Sequence, residues 1–192
     1  KSVVAEAQRL WDSGIKEITL LGQNMNSYKD PENELDFPDL LASCAEAVPG
    51  MRIRYTTSHP IDMSDKLIET MAEYDNICEY IHLPVQSGSN RILQQMNRHY
   101  DIDHYMGRVE KIKELMPNCA LSTDIIAGFP SETEEDHQAT LEVMRRVRYD
   151  GAFMFQYSPR ENTKAWKMED DVPDEVKKRR LSEIIKQQNS IS

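Results

Sequence analysis

The chain has 192 residues, of which 39% are hydrophobic and 29% are charged. This balance is typical of one globular domain with a sizeable core, and no low-complexity tract interrupts it. No apolar run approaches the roughly 20 residues that span a bilayer, and no signal peptide is apparent, so we expect no membrane association. The net charge of −10 argues against a large basic surface for nucleic acid.

The three cysteines, Cys44, Cys78 and Cys119, lie far apart and match no ligand spacing of the CxxC type. The five histidines include no HxxxH pair. A metal site built from this chain alone is therefore not expected. The cysteines fit small buried residues of a protein in a reducing compartment, which predicts a cytoplasmic location.

Helices and strands are predicted to alternate along the whole chain. The first helix carries an apolar stripe through Val3, Ala7 and Trp11 and ends before Gly14. The predicted elements that follow are strand Ile15–Leu21, helix Pro38–Ala47, strand Met51–Thr56, helix Ser64–Tyr74, strand Cys78–Leu83, helices Asn90–Asn97 and Asp103–Met116, strand Cys119–Ile125, helix Thr133–Val147, strand Ala152–Phe155 and helix Pro173–Ile191. Predicted helix caps are Ser64, Ser89, Asp101 and Ser131, the last in a capping box with Glu134.

The alternation of these elements predicts an α/β fold. Strands separated by helices imply a parallel sheet, because parallel neighbours need crossover connections. No GxGxxG or P-loop pattern follows any predicted strand, which disfavours a nucleotide-binding doubly wound fold. The sequence therefore predicts a (β/α) barrel of the TIM-like type, or part of one.

Polar side chains gather where the predicted strands end. They are Gln23 and Asn24 after the first strand, Thr57, Ser58 and His59 after the second, Gln86 and Ser87 after the third, Asp124 within the fourth, and Gln156, Tyr157, Ser158 and Arg160 after the fifth. In (β/α) barrels the carboxyl ends of the strands carry the functional site. A ring of neutral donors and acceptors suits a polar small molecule such as a nucleoside or an amino acid.

Each of these residues also has a simpler explanation when it is taken alone. Gln23 and Asn24 could form a turn, and Ser58 could belong to a turn that precedes the next helix. Asp124 could accept hydrogen bonds from backbone N–H groups. The shared position at the strand ends is what favours a binding site.

Five segments resemble, in order, the tRNA methylthiotransferases of the MiaB type, a radical S-adenosylmethionine family. The segments are Leu20–Tyr28, Thr56–Pro60, His82–Asn90, Ala120–Pro130 and Phe153–Arg160. The run from Gln86 to Asn90 is similar to the enzymes that act on isopentenylated adenosine beside the tRNA anticodon. The chain departs from the family at Ser131, where glycine is usual, and at Glu161-Asn162-Thr163-Lys164-Ala165, where Glu-Gly-Thr-Pro-Ala is usual.

The resemblance implies a radical-SAM core domain over residues 1–192, forming a partial barrel of the radical-SAM type without its first strand and cluster loop. It implies that the cysteines of a [4Fe–4S] cluster, an auxiliary-cluster domain and a C-terminal RNA-binding domain lie outside the chain. The cluster would cleave S-adenosylmethionine reductively, sulfur would be inserted at C2 of the adenine, and a second S-adenosylmethionine would methylate it.

The implied partners are tRNA and a reductant for the cluster. This segment alone is expected to be inactive and to self-associate through the unpaired edge of strand Ile15–Leu21. Three alternatives stay open: a related methylthiotransferase acting on another tRNA adenosine or on a ribosomal protein, a metal-independent barrel enzyme acting on a sugar or phosphate, and a non-catalytic RNA-binding module.

Specific site residues follow from the resemblance and from position at the strand ends. The S-adenosylmethionine pocket is expected to involve Gln23, Asn24, Ser58, Gln86, Ser87 and Asp124. Tyr157 and Arg160 are expected to contact the substrate, since aromatic faces stack on bases. Binding residues are expected here, with no catalytic acid–base pair and no metal ligand.

Overall fold

A computed structural model describes residues 2–21, 28–30, 32, 34–56 and 59–192. The chain divides into two compact units, residues 1–82 with 110–119 and residues 83–109 with 120–192. Three of the predicted site residues, Gln23, Asn24 and Ser58, lie outside the described residues. Among the described helices, none is both long and apolar enough to cross a membrane.

The first unit is built on parallel pairing of two strands. Its elements are α1 (Ser2–Asp12), β1 (Glu17–Leu20), α2 (Phe37–Ala47), β2 (Arg52–Tyr55), α3 (Asp65–Glu73) and β3 (Tyr80–His82). Strands β1 and β2 are parallel, and Ile53 of β2 forms a further parallel bridge with Ile77. Ile53 is completely buried, as are Leu41 of α2 and Ile68 of α3. An apolar core therefore supports this unit.

The second unit holds most of the predicted site. Its elements are α4 (Asn90–Gln95), part of α5 (Ile102–Leu115), β4 (Ala120–Ala127), α6 (Glu134–Val147), β5 (Gly151–Gln156) and α7 (Asp174–Ile191). Strands β4 and β5 are parallel, with Ser122 opposite Gly151. The extended segment 83–86 runs along the other side of β4, where Leu83 N–H donates to Ser122 O at 2.8 Å. Three parallel segments thus end at the same edge.

Two buried tyrosines support the beginning of these segments. The hydroxyl of Tyr105 donates to Leu83 O at 2.7 Å and lies 2.8 Å from the hydroxyl of Tyr149. Burial raises the pKa of Tyr105 well above its ordinary value, so its hydroxyl keeps its proton and the hydrogen bond to the backbone. Gln188 of α7 donates to Tyr149 O at 2.8 Å, which ties the last helix to the same region.

The structure confirms the predicted α/β class with parallel strands, and each predicted element is present within two residues of its expected ends. The caps Ser64 and Ser89 are confirmed, because each side chain accepts an N–H from the first helical turn. The predicted cap Ser131 is wrong: Thr133 caps α6 in a capping box with Asp136. Ser131 instead has a φ of 71°, in the left-handed region, which is incompatible with the extended backbone of a cap.

Candidate functional site

A cavity of about 610 Å³ opens in the second unit at the carboxyl ends of segment 83–86, β4 and β5. Four of the predicted site residues line it: Gln86, Asp124, Tyr157 and Arg160. They come from different strand ends, as expected for a site at this edge of a parallel sheet. The structure therefore brings these four residues together around one cavity.

Gln86 is fixed in an uncommon backbone conformation at the cavity. Its φ is 67°, a left-handed value that few residues other than glycine adopt. Gln86 N–H donates to Asp124 O at 2.9 Å, and Gln86 O accepts from Ile126 N–H at 3.0 Å. Bonds on both sides to β4 hold this conformation and fix the direction in which the amide side chain leaves the backbone.

Ser87 does not line the cavity, although the sequence placed it in the cofactor pocket. Its side chain is completely buried, and its Oγ accepts from Ser89 N–H at 3.2 Å and lies 3.5 Å from Thr140 Oγ1. Gly88 N–H also donates to Thr140 Oγ1, at 2.8 Å. Ser87 is thus turned towards α6, where its hydrogen bonds help to shape the turn after Gln86, and its role in the cofactor pocket stays a prediction.

A network around Asp136 fastens the same turn to the start of α6. Ser89 Oγ donates to Asp136 Oδ1 at 2.6 Å, Thr133 N–H donates to Oδ2 at 2.8 Å, and the Arg91 guanidinium pairs with the carboxylate. Burial by itself would raise the pKa of Asp136, but the bonds from Arg91, Ser89 and Thr133 outweigh it and lower the pKa to about 2.

The lowered pKa of Asp136 predicts a pH-dependent contribution to stability. The contribution is present above the unfolded pKa of about 3.9 and is lost as the pH falls towards 2. We expect Asp136→Asn to lower the free energy of unfolding by about 2 kcal/mol at pH 7 and by much less at pH 2. Urea denaturation of both proteins between pH 7 and pH 2 measures this difference. A difference that stays constant over the whole range would contradict the assignment.

Tyr157 and Phe129 form an aromatic wall of the cavity. Tyr157 N–H donates to Ala127 O at 2.8 Å, which continues the pairing beyond β5. Its ring meets Phe129 edge to face, with 5.3 Å between the centroids. Among the described residues the Tyr157 hydroxyl is buried without a hydrogen-bond partner. A buried, unsatisfied hydroxyl is costly, so a polar atom of a ligand or a water would be favoured beside it.

The loop that carries Phe129 is held by a buried ion pair. Glu132 Oε1 accepts from Gly128 N–H at 3.1 Å, and Arg180 of α7 donates to the backbone and carboxylate oxygens of Glu132 at 2.9 and 3.0 Å. Burial raises the pKa of Glu132, and the arginine works against that rise. Helix α7 thereby positions the loop that forms one side of the cavity.

Lys177 of α7 makes a second connection to this wall. Its ammonium pairs with Asp170 at 2.6 Å and lies 5.3 Å from the centre of the Tyr157 ring. Its aliphatic stem packs on Gly128, where an added Cβ would lie 2.9 Å from Lys177 Cβ. Gln156, at the end of β5, donates to Asp174 in the first turn of α7 at 2.6 Å. The first turns of α7 therefore contact the cavity wall at successive points.

Arg98 is a cavity residue that the sequence analysis missed. It follows Asn97, whose φ of 58° ends the turn after α4, and Arg98 N–H donates to Leu93 O at 2.9 Å. Its Nε is buried with no hydrogen-bond partner in the described part of the chain. The polar residues at strand ends gave no indication of it, because Arg98 reaches the cavity from a helix end.

The sequence matches the family model of the radical SAM superfamily over residues 1–144. The chain belongs to this superfamily. This radical SAM chain is 56% identical over its whole length to a tRNA-2-methylthio-N(6)-dimethylallyladenosine synthase from Phocaeicola vulgatus, covering 43% of it. It is 55% identical to a protein of the same name from Chlorobium phaeobacteroides, covering 44% of it. The chain thus spans less than half the length of these curated relatives.

The radical SAM fold is also supported by a solved structure. Coproporphyrinogen III oxidase from Escherichia coli, described as a radical SAM enzyme, matches 98% of this chain with a TM-score of 0.68 and 16% identity. The matched region is 44% of that enzyme. At this level of identity the likeness concerns the fold alone.

The cysteines of this radical SAM chain do not fit an iron–sulfur cluster. Cluster ligands must converge on one point, but among the described residues Cys44, Cys78 and Cys119 do not form a group that could hold a metal ion. Within the described ranges, the group of side chains that could hold a metal ion contains no cysteine and consists of Glu134, His137 and Glu183. Arg179 already pairs with both of these glutamates, so part of their negative charge is compensated within the chain.

Proposed function

We propose that this chain is the S-adenosylmethionine-binding part of a tRNA methylthiotransferase that converts N6-dimethylallyladenosine to its 2-methylthio derivative. The observation that carries the proposal is the single cavity at which Gln86, Asp124 and Tyr157 meet. The curated relatives that bear this activity in their names support it, because they match the whole chain at 54–56% identity.

The cavity lining includes groups suited to different parts of S-adenosylmethionine. Arg98 offers a guanidinium for the methionine carboxylate, and Asp124 offers a carboxylate for the ammonium or the ribose hydroxyls. Tyr157 offers aromatic surface for an adenine, and the buried ring of Phe129 packs against it. When bound, S-adenosylmethionine supplies a methyl group and, in radical enzymes, an adenosyl radical. The protein's part is to bind and orient it.

The remaining assignments are part of the same proposal. Gln23, Asn24, Ser58 and Ser87 keep their predicted roles in binding S-adenosylmethionine, and Tyr157 and Arg160 keep theirs in binding the substrate. The cluster ligands, an auxiliary-cluster domain and a C-terminal RNA-binding domain lie elsewhere in the full-length enzyme, and this chain forms a partial (β/α) barrel within it. The enzyme works in the cytoplasm with a reductant, whereas the isolated segment is inactive and self-associates through the edge of β1.

Calorimetric titration of the full-length enzyme tests the cofactor site. Arg98→Met should weaken S-adenosylmethionine binding about 10-fold or more, since hydrogen bonds to charged groups contribute about 1.5–3 kcal/mol. The same variant should leave the affinity for 5′-deoxyadenosine unchanged, because that ligand has no carboxylate. Asp124→Asn should weaken S-adenosylmethionine binding as well.

Arg146→Met is the matched control, since Arg146 is an exposed arginine of α6 away from the cavity lining. It should bind both ligands like the wild type. Unchanged S-adenosylmethionine affinity in Arg98→Met and Asp124→Asn would place the cofactor outside this cavity and refute the assignment.

A further inference from the structure

The connection between β5 and α7 carries exposed cations and an exposed tryptophan in a chain whose net charge is −10. The cations are Arg160, Lys164 and Lys167, and Trp166 among them is 50% exposed. In the part of the chain that the structure describes, none of these three cations forms an ion pair. Their charges are therefore available to an anionic partner.

This segment is ordered by its own hydrogen bonds. Thr163 Oγ1 donates to Arg160 O at 2.8 Å and accepts from Trp166 N–H at 3.2 Å. A short 3₁₀ helix, Ala165–Lys167, follows, and Lys167 N–H donates to Lys164 O at 3.1 Å. Residues three apart in a 3₁₀ helix lie on the same side, so Lys164 and Lys167 present their charges together.

A groove of about 490 Å³ lies in this segment and is lined by Glu161, Asn162, Thr163, Lys164, Trp166 and Lys167. Thr163 and Lys164 also line the larger cavity, as does Arg160. The groove and the cavity are thus continuous along one surface of the second unit.

The acidic residues that follow the groove are largely engaged elsewhere. Asp170 pairs with Lys177 at 2.6 Å, and Asp171 accepts from Ser131 N–H at 2.6 Å. Glu161 and Glu169 stand at the two ends of the segment. The groove lining therefore carries two cations, Lys164 and Lys167, against one acidic side chain, Glu161.

We propose that this groove, lined by Lys164, Trp166 and Lys167, binds the RNA strand adjacent to the target nucleotide. An unpaired base stacks on Trp166, and the phosphates that flank it pair with the two lysines. The proposal rests on the proposed function, because the target base must enter the neighbouring cavity. Exposed aromatic rings next to cations are the combination that binds single-stranded nucleic acid.

The groove also accounts for RNA binding by an acidic chain. Phosphate contacts depend on the charge close to the strand, since screening limits exposed charges to about 8–10 Å in physiological salt. Three cations beside the cavity can attract the strand there, while the acidic remainder of the surface discourages binding elsewhere.

The test measures how the full-length enzyme binds a labelled anticodon stem–loop RNA that contains N6-dimethylallyladenosine. Trp166→Ala should weaken binding about 5- to 150-fold, because stacking of one base contributes about 1–3 kcal/mol. Trp166→Phe, which keeps an aromatic face, should recover most of the affinity. Lys167→Ala should lower the slope of log Kd against log salt by about 0.7, the value for one phosphate of a single strand.

Lys178→Ala is the control, since Lys178 is an exposed lysine that pairs with Asp174 at 2.8 Å. It should bind the RNA like the wild type. S-adenosylmethionine affinity, measured in parallel, should be unchanged in every one of these variants and shows that each is folded.

Unchanged RNA affinity in Trp166→Ala and Lys167→Ala, with S-adenosylmethionine still bound, would overturn the groove assignment and leave the proposed function standing. Equal losses of RNA and S-adenosylmethionine affinity would also overturn it, because the segment would then belong to the cofactor site. Failure of the wild-type enzyme to bind the RNA would refute the proposed function and the groove together.

Discussion

Gly88→Ala is expected to lower the free energy of unfolding by about 3 kcal/mol. An added Cβ would lie 2.6 Å from the carbonyl carbon of Ala139 and closer still to Thr140 Cα. These are backbone atoms of α6, so the clash cannot be relieved by turning a side chain. Either the turn after Gln86 or the helix must move, and the 2.8 Å bond from Gly88 N–H to Thr140 is lost. Urea denaturation measures the change.

Gly107→Ala is the matched control for this prediction. Gly107 lies within α5, and nothing would lie within 4 Å of its added Cβ. Alanine is favoured over glycine inside a helix, so this variant should gain about 0.5–1 kcal/mol. Equal effects of the two substitutions would show that the close approach of Gly88 to α6 is not what constrains this position.

Arg180→Met should cost about 3–5 kcal/mol, because it leaves the buried carboxylate of Glu132 without its partner. The side chains of Arg180 and Glu132 are only 7% and 3% exposed. Loss of the arginine raises the pKa of Glu132 further above its unfolded value, so the folded protein favours the protonated acid. Stability is then retained below the unfolded pKa and lost as the pH rises, and the variant should be less impaired at pH 4 than at pH 7.

Arg179→Met provides the comparison, since Arg179 bridges Glu134 and Glu183 while its side chain is 47% exposed. Exposed pairs contribute about 0–1 kcal/mol, so this variant should be only slightly destabilised. Adding Glu132→Gln to Arg180→Met should restore part of the loss, because the unpaired charge is then removed. A double variant as unstable as the sum of the single ones would mean that the two residues do not interact.

The sequence was sufficient to predict the helices and strands and the edge of the sheet at which the cavity opens. The periodicity of apolar residues and the turn residues between them predict each helix and strand. The polar residues Gln86, Asp124 and Tyr157 lie at strands whose carboxyl ends meet at one cavity. Alternating strand periodicity does not extend into a turn. The burial of Ser87 therefore depended on Gly88 approaching α6, which no local pattern reveals.

The errors at the start of α6 and at Arg98 have the same kind of cause. Both Ser131 and Thr133 are followed three residues later by an acid, so two capping boxes were compatible with the sequence. Arg91 of α4 donates to Ser131 Oγ at 3.2 Å and also pairs with Asp136. The structure that has Thr133 as the cap of α6 therefore includes contacts from an element distant in sequence, which the local pattern does not contain. Arg98 likewise reaches the cavity only because α4 ends in a left-handed turn at Asn97.

The departure from the family at Asn162 is explained by its backbone. Asn162 has a φ of 66°, and asparagine is among the few residues that tolerate this region where the family has glycine. The substitution therefore preserves the turn that sets up Thr163, and the side chains around it are free to differ.

The 2.6 Å bond between Gln156 and Asp174 brings together the two ends of a connection whose residues are 18 apart in sequence. A loop whose ends are fixed by the surrounding fold can change in length and composition at a small cost in chain entropy. The segment that forms the groove around Trp166 could thus be exchanged between related proteins as a unit. Such an exchange would alter the surface proposed to bind RNA without rebuilding strands β4 and β5.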